Sequence, residues 1–473
     1  MRFVPGTTRG SLRTTRHFCH FPSSSNPSQM RIVPPSLSRR FVTIFYVATA
    51  LLHAPAAQAQ GSLTDSSHPT VLRAGRVLDG TGRAMKNVDL LIVNGRIAKV
   101  RPSAGALPRG AIDLRGRTVL PGMIDTHVHL GWYINDKRRL HADGDGDSPT
   151  ESALNQAGNA WATLHAGFTT VQSIGEADNG ALRDAINRGV LPGPRVLTSL
   201  GSVNERTGGG SPDSLRSAVR RFKARGADVI KIFASKSIRD GGEATMTNEQ
   251  LAAACGEAKA NGLRSVVHAH SAEAVQRAAR AGCTQVEHGV FADDATRALL
   301  VERGTFFDPQ CGLVFHNYLD NKAWFEGIGN YNAVGFASME KAIPLAEAGI
   351  GFASRTPKLK LVFGTDAVAG AHGRNAEELV CRVRKGGQSA MDAIVSATSL
   401  AAESMGLEKQ IGRIAEGFVA DIIATDGDPS QQIEATQRVT FVMRDGKVYR
   451  NDGTALSTMD KGNKGEKGPM GRK

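Results

Sequence analysis

Apolar and polar positions follow two rhythms along this chain. Between Thr70 and Thr118 they alternate at a period of two in the short runs TVLRAGRVLDG, VDLLIVNGRIAKV and AIDLRGRTVL, with Asp79-Gly80 and Asn94-Gly95 as turn signals. Successive strand residues face opposite sides of a sheet, and Asp-Gly or Asn-Gly supplies the positive φ of a tight turn, so this stretch predicts the hairpins of a small sheet. FVADIIATDG and RVTFVMRDGKVYR, with Asp445-Gly446, repeat the style near the other end, which predicts one β domain assembled from both. In between, apolar runs such as FTTVQSI, DVIKIF and LRSVVH alternate with amphipathic stretches such as SLRSAVRRFKARG and SAEAVQRAARAG. Counting from the strand before His127 to LKLVFGTD gives eight strands, each followed by a helix or a helix-length loop. That alternation predicts an α/β fold, a (β/α)8 TIM barrel.

The first 59 residues carry neither rhythm. Arg31, Arg39 and Arg40 precede an apolar run from Phe41 to Leu52 and then Ala57-Gln58-Ala59, the layout of a secretory signal peptide with a small-x-small cleavage site. The run is too short to span a bilayer. Cleavage after about Ala59 is expected, giving a periplasmic or secreted protein with no stable membrane anchor, and Met30 offers a start that keeps every part of the signal. The expected organisation is a signal region at 1–59, β domain at 60–120, barrel at 121–405, β domain again at 406–452, and a basic tail at 453–473. That tail ends in GNKGEKGPMGRK, four Gly-x-y triplets, too few for a triple helix and read as a flexible extension.

Charge changes this picture little. The formal net charge is +13, but seven of the 58 basic residues and none of the 45 acidic ones lie in the first 59 positions, leaving +6 on the rest. With no aromatic and basic stripe beside it, that excess reads as a mildly basic surface and nucleic-acid binding is excluded. Export permits disulfides, yet Cys255, Cys283, Cys311 and Cys381 are far apart and too few for a disulfide framework, so they are read as buried small apolar residues.

The chemistry lies at strand ends. His127 and His129, two apart in TVLPGMIDTHVHL, must share one face of a strand, which makes a metal clamp. Lys231 in DVIKIF, His268 in SVVHAHS, His288 in TQVEHG and Asp366 in LVFGTDA each close a further apolar run. In a barrel those ends form one mouth, where active sites are built. Lys231 is flanked by apolar residues on both sides and would be a buried cation without a use.

These motifs, PGMIDTHVHL, DVIKIF, HAH, VEHG and GTDA, resemble the amidohydrolase superfamily, in its imidazolonepropionase-like branch of metal-dependent dipeptidases and ochratoxin-hydrolysing amidases, from about Thr70 to Tyr449. The resemblance implies a β-sandwich from both chain ends beside the barrel. It implies two divalent metal ions, zinc above all, with His127, His129 and Asp366 on one, His268 and His288 on the other, and Lys231 bridging both. A lysine can do so only as a carbamate formed with carbon dioxide. It further implies hydrolysis of an amide bond in a dipeptide or N-acyl amino acid by a metal-bridging hydroxide, with Asp366 as general base and then acid.

Other candidates come from position alone. His270 shares the inward face of His268 and His372 follows the eighth strand, so both are candidates for contact with substrate. Arg206, Arg239 and Arg374 on loops can grip a carboxylate, and Tyr318 and Tyr331 can donate to a developing oxyanion. Trp132 to Pro149 reads as a mobile lid. RTGGGSP stands where relatives carry TGGH, so Gly210 removes a substrate-side histidine and puts narrow dipeptide specificity in doubt; HAHS likewise replaces HAHG. A cyclic-amide hydrolase remains an alternative, as does a deaminase, although deaminases of the superfamily lack the fourth-strand lysine and carry a glutamate where this chain has Ser271. A catalytically dead binding barrel is the third, and a homo-oligomer is possible in each case.

Overall fold

The protein is described by a computed structural model over residues 69–142 and 144–452. The expected signal region and basic tail lie outside the described residues. In chain order the strands are β1 (Thr70–Leu78), β2 (Ala84–Val93), β3 (Arg96–Pro102), β4 (Ile112–Pro121), β5 (Met123–Val128), β6 (Phe168–Ser173), β7 (Arg195–Thr198), β8 (Ser202–Val203), β9 (Val229–Phe233), β10 (Arg264–Ser271), β11 (Gln285–Phe291), β12 (Phe306–Asp308), β13 (Lys360–Leu361), β14 (Ile422–Thr425), β15 (Val439–Arg444) and β16 (Lys447–Asn451).

The two chain ends meet in one seven-stranded sheet, ordered β16-β15-β14-β4-β1-β2-β3. Its pairs are antiparallel except β1 with β4. Alternation buries Leu72, Ala74, Leu90, Ile97, Leu114, Ile422 and Phe441 in a shared core, as the period of two predicts. Asn94-Gly95 and Asp445-Gly446 form the expected two-residue turns, all four at positive φ. The two turns abut, since a Cβ on Gly446 would stand 2.6 Å from Gly95 Cα, and only glycine allows that approach. Asp79-Gly80 instead opens a longer connection, because Asp79 Oδ1 accepts from Thr81 N, Thr81 Oγ1 and Arg83 N and delays the return strand.

The middle of the chain forms two parallel sheets, β5-β6-β7 and β13-β12-β11-β10-β9-β8. β5 and β6 are buried along their whole length, as expected where helices cover parallel strands. Helices begin where the sequence caps them: Ser148 with Glu151 before Pro149–His165, and Thr247 with Gln250 before Asn248–Ala260, each a reciprocal capping box that stabilises by about 1 kcal/mol. Backbone bonds also join the sheet edges. Thr126 N donates to Phe363 O at 3.0 Å, Asp366 N to His127 O at 2.8 Å, His129 N to Ala367 O at 2.8 Å, and Asp228 N to Thr198 O at 2.8 Å. The run LKLVFGTD is thus a ladder strand only over Lys360–Leu361; beyond it the chain pairs with β5 by single bonds, since Asp366 at φ 54° breaks the extended backbone.

The cysteines correct the sequence reading. Cys255 pairs with Cys283 and Cys311 with Cys381, as disulfides with Cα separations of 5.1 and 5.8 Å. Distance along the chain did not measure distance in the fold: adjacent helices and strands bring each pair together. The segment from Trp132 to Pro149 is also tied down, by Tyr133 Oη to Asp147, Asn135 to Asp145 and Leu140 N to Trp324 O, with Tyr133 and Leu140 buried.

Candidate metal centre

Alternation turns His127, on β5, and His129, one residue beyond it, the same way. Their Nε2 atoms lie 3.4 and 2.9 Å from one oxygen of Asp366. Asp366 reaches them because the chain before it passes under β5 with no side chain in the way: a Cβ on Gly364 would meet Asp308 Oδ2 at 1.9 Å and His127 Cβ at 2.9 Å. Asp125 clamps the two segments, accepting from Thr365 Oγ1 at 2.7 Å, Thr365 N at 3.0 Å, Asn375 Nδ2 at 2.8 Å and His127 N at 3.1 Å.

The outward nitrogens of this pair are fixed by carboxylates. His127 Nδ1 lies 2.9 Å from Glu287 Oε2 and His129 Nδ1 lies 2.6 Å from Glu176 Oε1. With the proton on Nδ1, each ring presents its Nε2 lone pair to the centre. Burial would depress the His129 imidazolium, but Glu176 and Asp366 outweigh it and hold its pKa up to about 9. Burial likewise opposes ionisation of Asp366, yet His127 and His129 keep its carboxyl below the usual range. This half therefore attracts a cation. Behind it, burial lifts Glu287 to about 7.

The second group is all imidazole. His268 and His270 on β10 and His288 on β11 have ring centroids 4.5 to 4.7 Å apart, and a ligand atom of each falls within 4.8 Å of the others. The β10–β11 register shifts beside His270, and His288 sits at φ 70°; departures of this kind concentrate at functional sites. His288 Nδ1 bonds Gln310 Oε1 at 2.6 Å, and His268 Nε2 lies 3.3 Å from Lys236 O. Burial holds all three neutral, with His270 down to about 3, the form in which imidazole binds metal. His270, read from the sequence as a substrate contact, stands inside this group, and its buried Nδ1 has no hydrogen-bond partner among the described residues.

Lys231 on β9 is 1% exposed, and its Nζ contacts His127 Nε2 at 3.2 Å. Burial lowers its pKa against the pull of Glu287 and Asp366. Its charge bears on His127 and also on His268, His270 and His288, so it faces both groups.

All seven of these side chains line one cavity of about 170 Å³, whose walls include Trp132, Phe233, Phe315 and Met339. Arg239 and Tyr318 line it as well, and Tyr331 lies beneath the Arg239 guanidinium, 4.0 Å from its ring centroid. Arg206 and Arg374 do not line it: they pair with Glu205 and Glu377. His372 stands behind the cavity, half-buried, with Nε2 3.1 Å from His129 O, so it braces a backbone rather than facing a ligand. Sequence reasoning missed Glu176, Glu287 and Gln310. Only Glu287 left a signal, as an acid within the buried run QVEH. It also missed Arg382, fully buried and paired with Asp308 at 2.9 Å and Glu378 at 3.4 Å.

Neutral imidazoles and carboxylates in this arrangement suit a divalent cation. Comparison with known proteins agrees. Residues 118–449 match the sequence pattern of the Amidohydrolase family. The chain is 28% identical over 442 residues to the ochratoxinase of Aspergillus niger, covering 82% of this chain and 88% of that one. Among solved structures it resembles a Xaa-Pro dipeptidase with bound methionine (29% identity, TM-score 0.72, 81% of this chain and all of the other). It also resembles the crystal structure of A. niger ochratoxinase (25% identity, TM-score 0.69, 83% and 98%). The match spans most of the chain and includes every group of the cavity described above, so the protein belongs to the amidohydrolase family and is a hydrolase of carbon–nitrogen bonds.

Proposed function

We propose that this protein is an exported binuclear amide hydrolase acting on a dipeptide or N-acyl amino acid. The observation that carries the reading is Lys231: a buried lysine beside an imidazole, facing both ligand groups, with no carboxylate in ion-pair contact among the described residues. As an ammonium it is poorly placed; as a carbamate it becomes the anionic bridge that two cations need. His127, His129 and Asp366 would hold one ion and His268 and His288 the other, zinc being the metal best suited to these donors. The bonds between β5 and residues 363–367 support one (β/α)8 barrel, with the seven-stranded sheet as the flanking β-sandwich.

When bound, the two ions would polarise the amide carbonyl and acidify a water. Asp366, kept ionised by its histidines, accepts the proton from that water and passes it to the departing nitrogen, because an amide anion leaves very poorly. Glu287 and Glu176 hold the His127 and His129 rings in place while this happens. The cavity's apolar walls exclude bulk water. The names of the relatives, an ochratoxinase and a Xaa-Pro dipeptidase, support a small amide substrate.

The test is metal content and turnover of protein beginning near Gln60, prepared with bicarbonate, on a panel of dipeptides and N-acyl amino acids. About two metals per chain are expected, falling in Lys231→Ala together with kcat. One metal unchanged by the substitution would point to a mononuclear enzyme, and none to a binding barrel. Mass analysis of the exported chain checks cleavage after Ala59.

A further inference from the structure

We infer that Arg382 is a positioning residue of the metal centre: from behind the cavity, one guanidinium fixes the outer partners of both His127 and His288, so that the two halves are set from a single point. The inference deepens the amide-hydrolase reading above and rests on it.

Arg382 lies in the helix Ala376–Arg384, is fully buried, and does not line the cavity. Its three nitrogens are all engaged: Nη1 donates to Val362 O at 2.6 Å, Nη2 to Pro309 O at 2.7 Å and Asp308 Oδ1 at 2.9 Å, and Nε to Glu378 Oε1 at 3.4 Å. Asp308 and Glu378 are fully buried as well. Neutralising two acids does not require the two carbonyls, and these belong to the segments that carry Gln310 and Asp366. A planar, permanently charged fork can hold both segments and its own helix at once, which the point charge of a lysine cannot.

Two relays run from this point. Thr126 Oγ1 donates to Asp308 Oδ2 at 3.1 Å, Gln285 Nε2 donates to Thr126 Oγ1 at 3.0 Å and to Glu287 Oε1 at 2.8 Å, and Glu287 Oε2 meets His127 Nδ1. On the other side, Gln310 is fastened before and behind. Its Nε2 donates to Asp308 O at 3.1 Å while its Oε1 meets His288 Nδ1. Behind it, Glu378 accepts from the backbone N–H groups of Cys311, Gly312 and Leu313, next to the Cys311–Cys381 disulfide. Every side chain in both relays is buried, so a bond lost here is not replaced by solvent, and a displacement at Arg382 reaches both rings.

The experiment compares Arg382→Lys with Arg73→Gln, which breaks an equally buried ion pair, Arg73 with Asp89, in the seven-stranded sheet away from the centre. Asp308→Asn and Glu378→Gln cut one relay each. The readouts are release of metal to a chelator, the visible spectrum of protein loaded with cobalt(II), and, in metal-free protein, the ring N–H magnetic resonance signals of His127 and His288. In R382K retention of both ions should weaken about 10- to 100-fold, with an altered cobalt spectrum and both ring signals lost or shifted. The kcat should fall while KM holds, because Arg382 touches no substrate. D308N should disturb the His127 signal and E378Q the His288 signal. R73Q should lower the Tm and leave every one of these readouts unchanged. Wild-type metal release and ring signals in folded R382K, a change at one histidine only, or the same changes in R73Q overturn the inference. If R382K does not fold, the single-relay variants decide it: each disturbing its own histidine upholds the relays, and neither doing so refutes them. If wild type takes up no metal or cleaves no amide, the hydrolase reading fails instead, and the ring signals of the metal-free variants still decide the role of Arg382.

Discussion

The two halves of the centre hold similar imidazoles in opposite electrostatic surroundings. On the β5 side, His127 and His129 are each backed by a glutamate and face Asp366, so this half carries negative charge and lifts the His129 imidazolium to about 9. On the β10 and β11 side, His288 is backed by the neutral amide of Gln310, His268 Nε2 lies against a backbone carbonyl, and His270 Nδ1 has no hydrogen-bond partner among the described residues. The first half attracts a cation by itself. The second offers neutral donors and depends on an added anion, the role proposed for carbamylated Lys231. In the proposed binuclear centre, outer partners, more than the ligand type, would therefore set how tightly each half holds an ion.

Removing the carboxylate tests the comparison most strongly. Asp366→Asn is expected to lower kcat about 1000-fold, the range for loss of a positioned general base. Metal should leave the β5 half while the three-histidine half keeps its ion. If inductively coupled plasma analysis finds both ions lost together, the halves are not independent.

A smaller effect sharpens the contrast. Glu176→Gln and Glu287→Gln keep shape and remove charge, and each should weaken retention of the first ion by about 10- to 100-fold against a chelator. Gln310→Ala, on the neutral side, is expected to release the second ion with a weaker change, because no charge is removed. Two release phases that merge in the glutamine variants support the unequal halves; a single phase in wild type defeats them.

The sequence made the inner layer legible for a physical reason. Side chains that close strands and share a face converge on one cavity, so the meeting of His127, His129, Lys231, His268, His288 and Asp366 there could be read by position. The outer layer left no such mark. Glu176 meets His129 across 47 residues and Gln310 meets His288 across 22, and a polar residue in a loop looks the same whether solvated or buried. The same limit hid both disulfides and left Arg239 level with Arg206 and Arg374, which only the packing of Asn330 and Tyr331 separates. His270 was legible as inward-facing but not as one of three clustered imidazoles, because the register shift after Ala269 and the positive φ of His288 cannot be read from alternation. In the fold, the (β/α) alternation and the union of chain ends were legible, while the two-residue β8 and the shortened β13 were not.

The smallest expected effect concerns metal-free protein and follows from His129. Its pKa stands at about 9 in the fold against an ordinary value of 6.5, so the folded state binds the proton more tightly than the unfolded chain does. The stabilisation is fully present below pH 6.5 and is lost as pH rises through 9. Asp125 and Glu287, pushed up to about 7 by burial, act over a lower range: their charging destabilises the fold as pH climbs from the ordinary carboxylate values towards 7. Between pH 7.5 and 9, then, loss of the His129 contribution should lower the Tm of the chelated protein with rising pH, while Lys231, whose pKa burial lowers, works in the opposite direction. Glu176→Gln should flatten that slope by removing the carboxylate that raises the imidazolium. Bound metal should abolish it, since a ligating imidazole is neutral throughout. A slope that survives both metal loading and the substitution would assign the titration to another group and would remove His129 as the charged member of the β5 half.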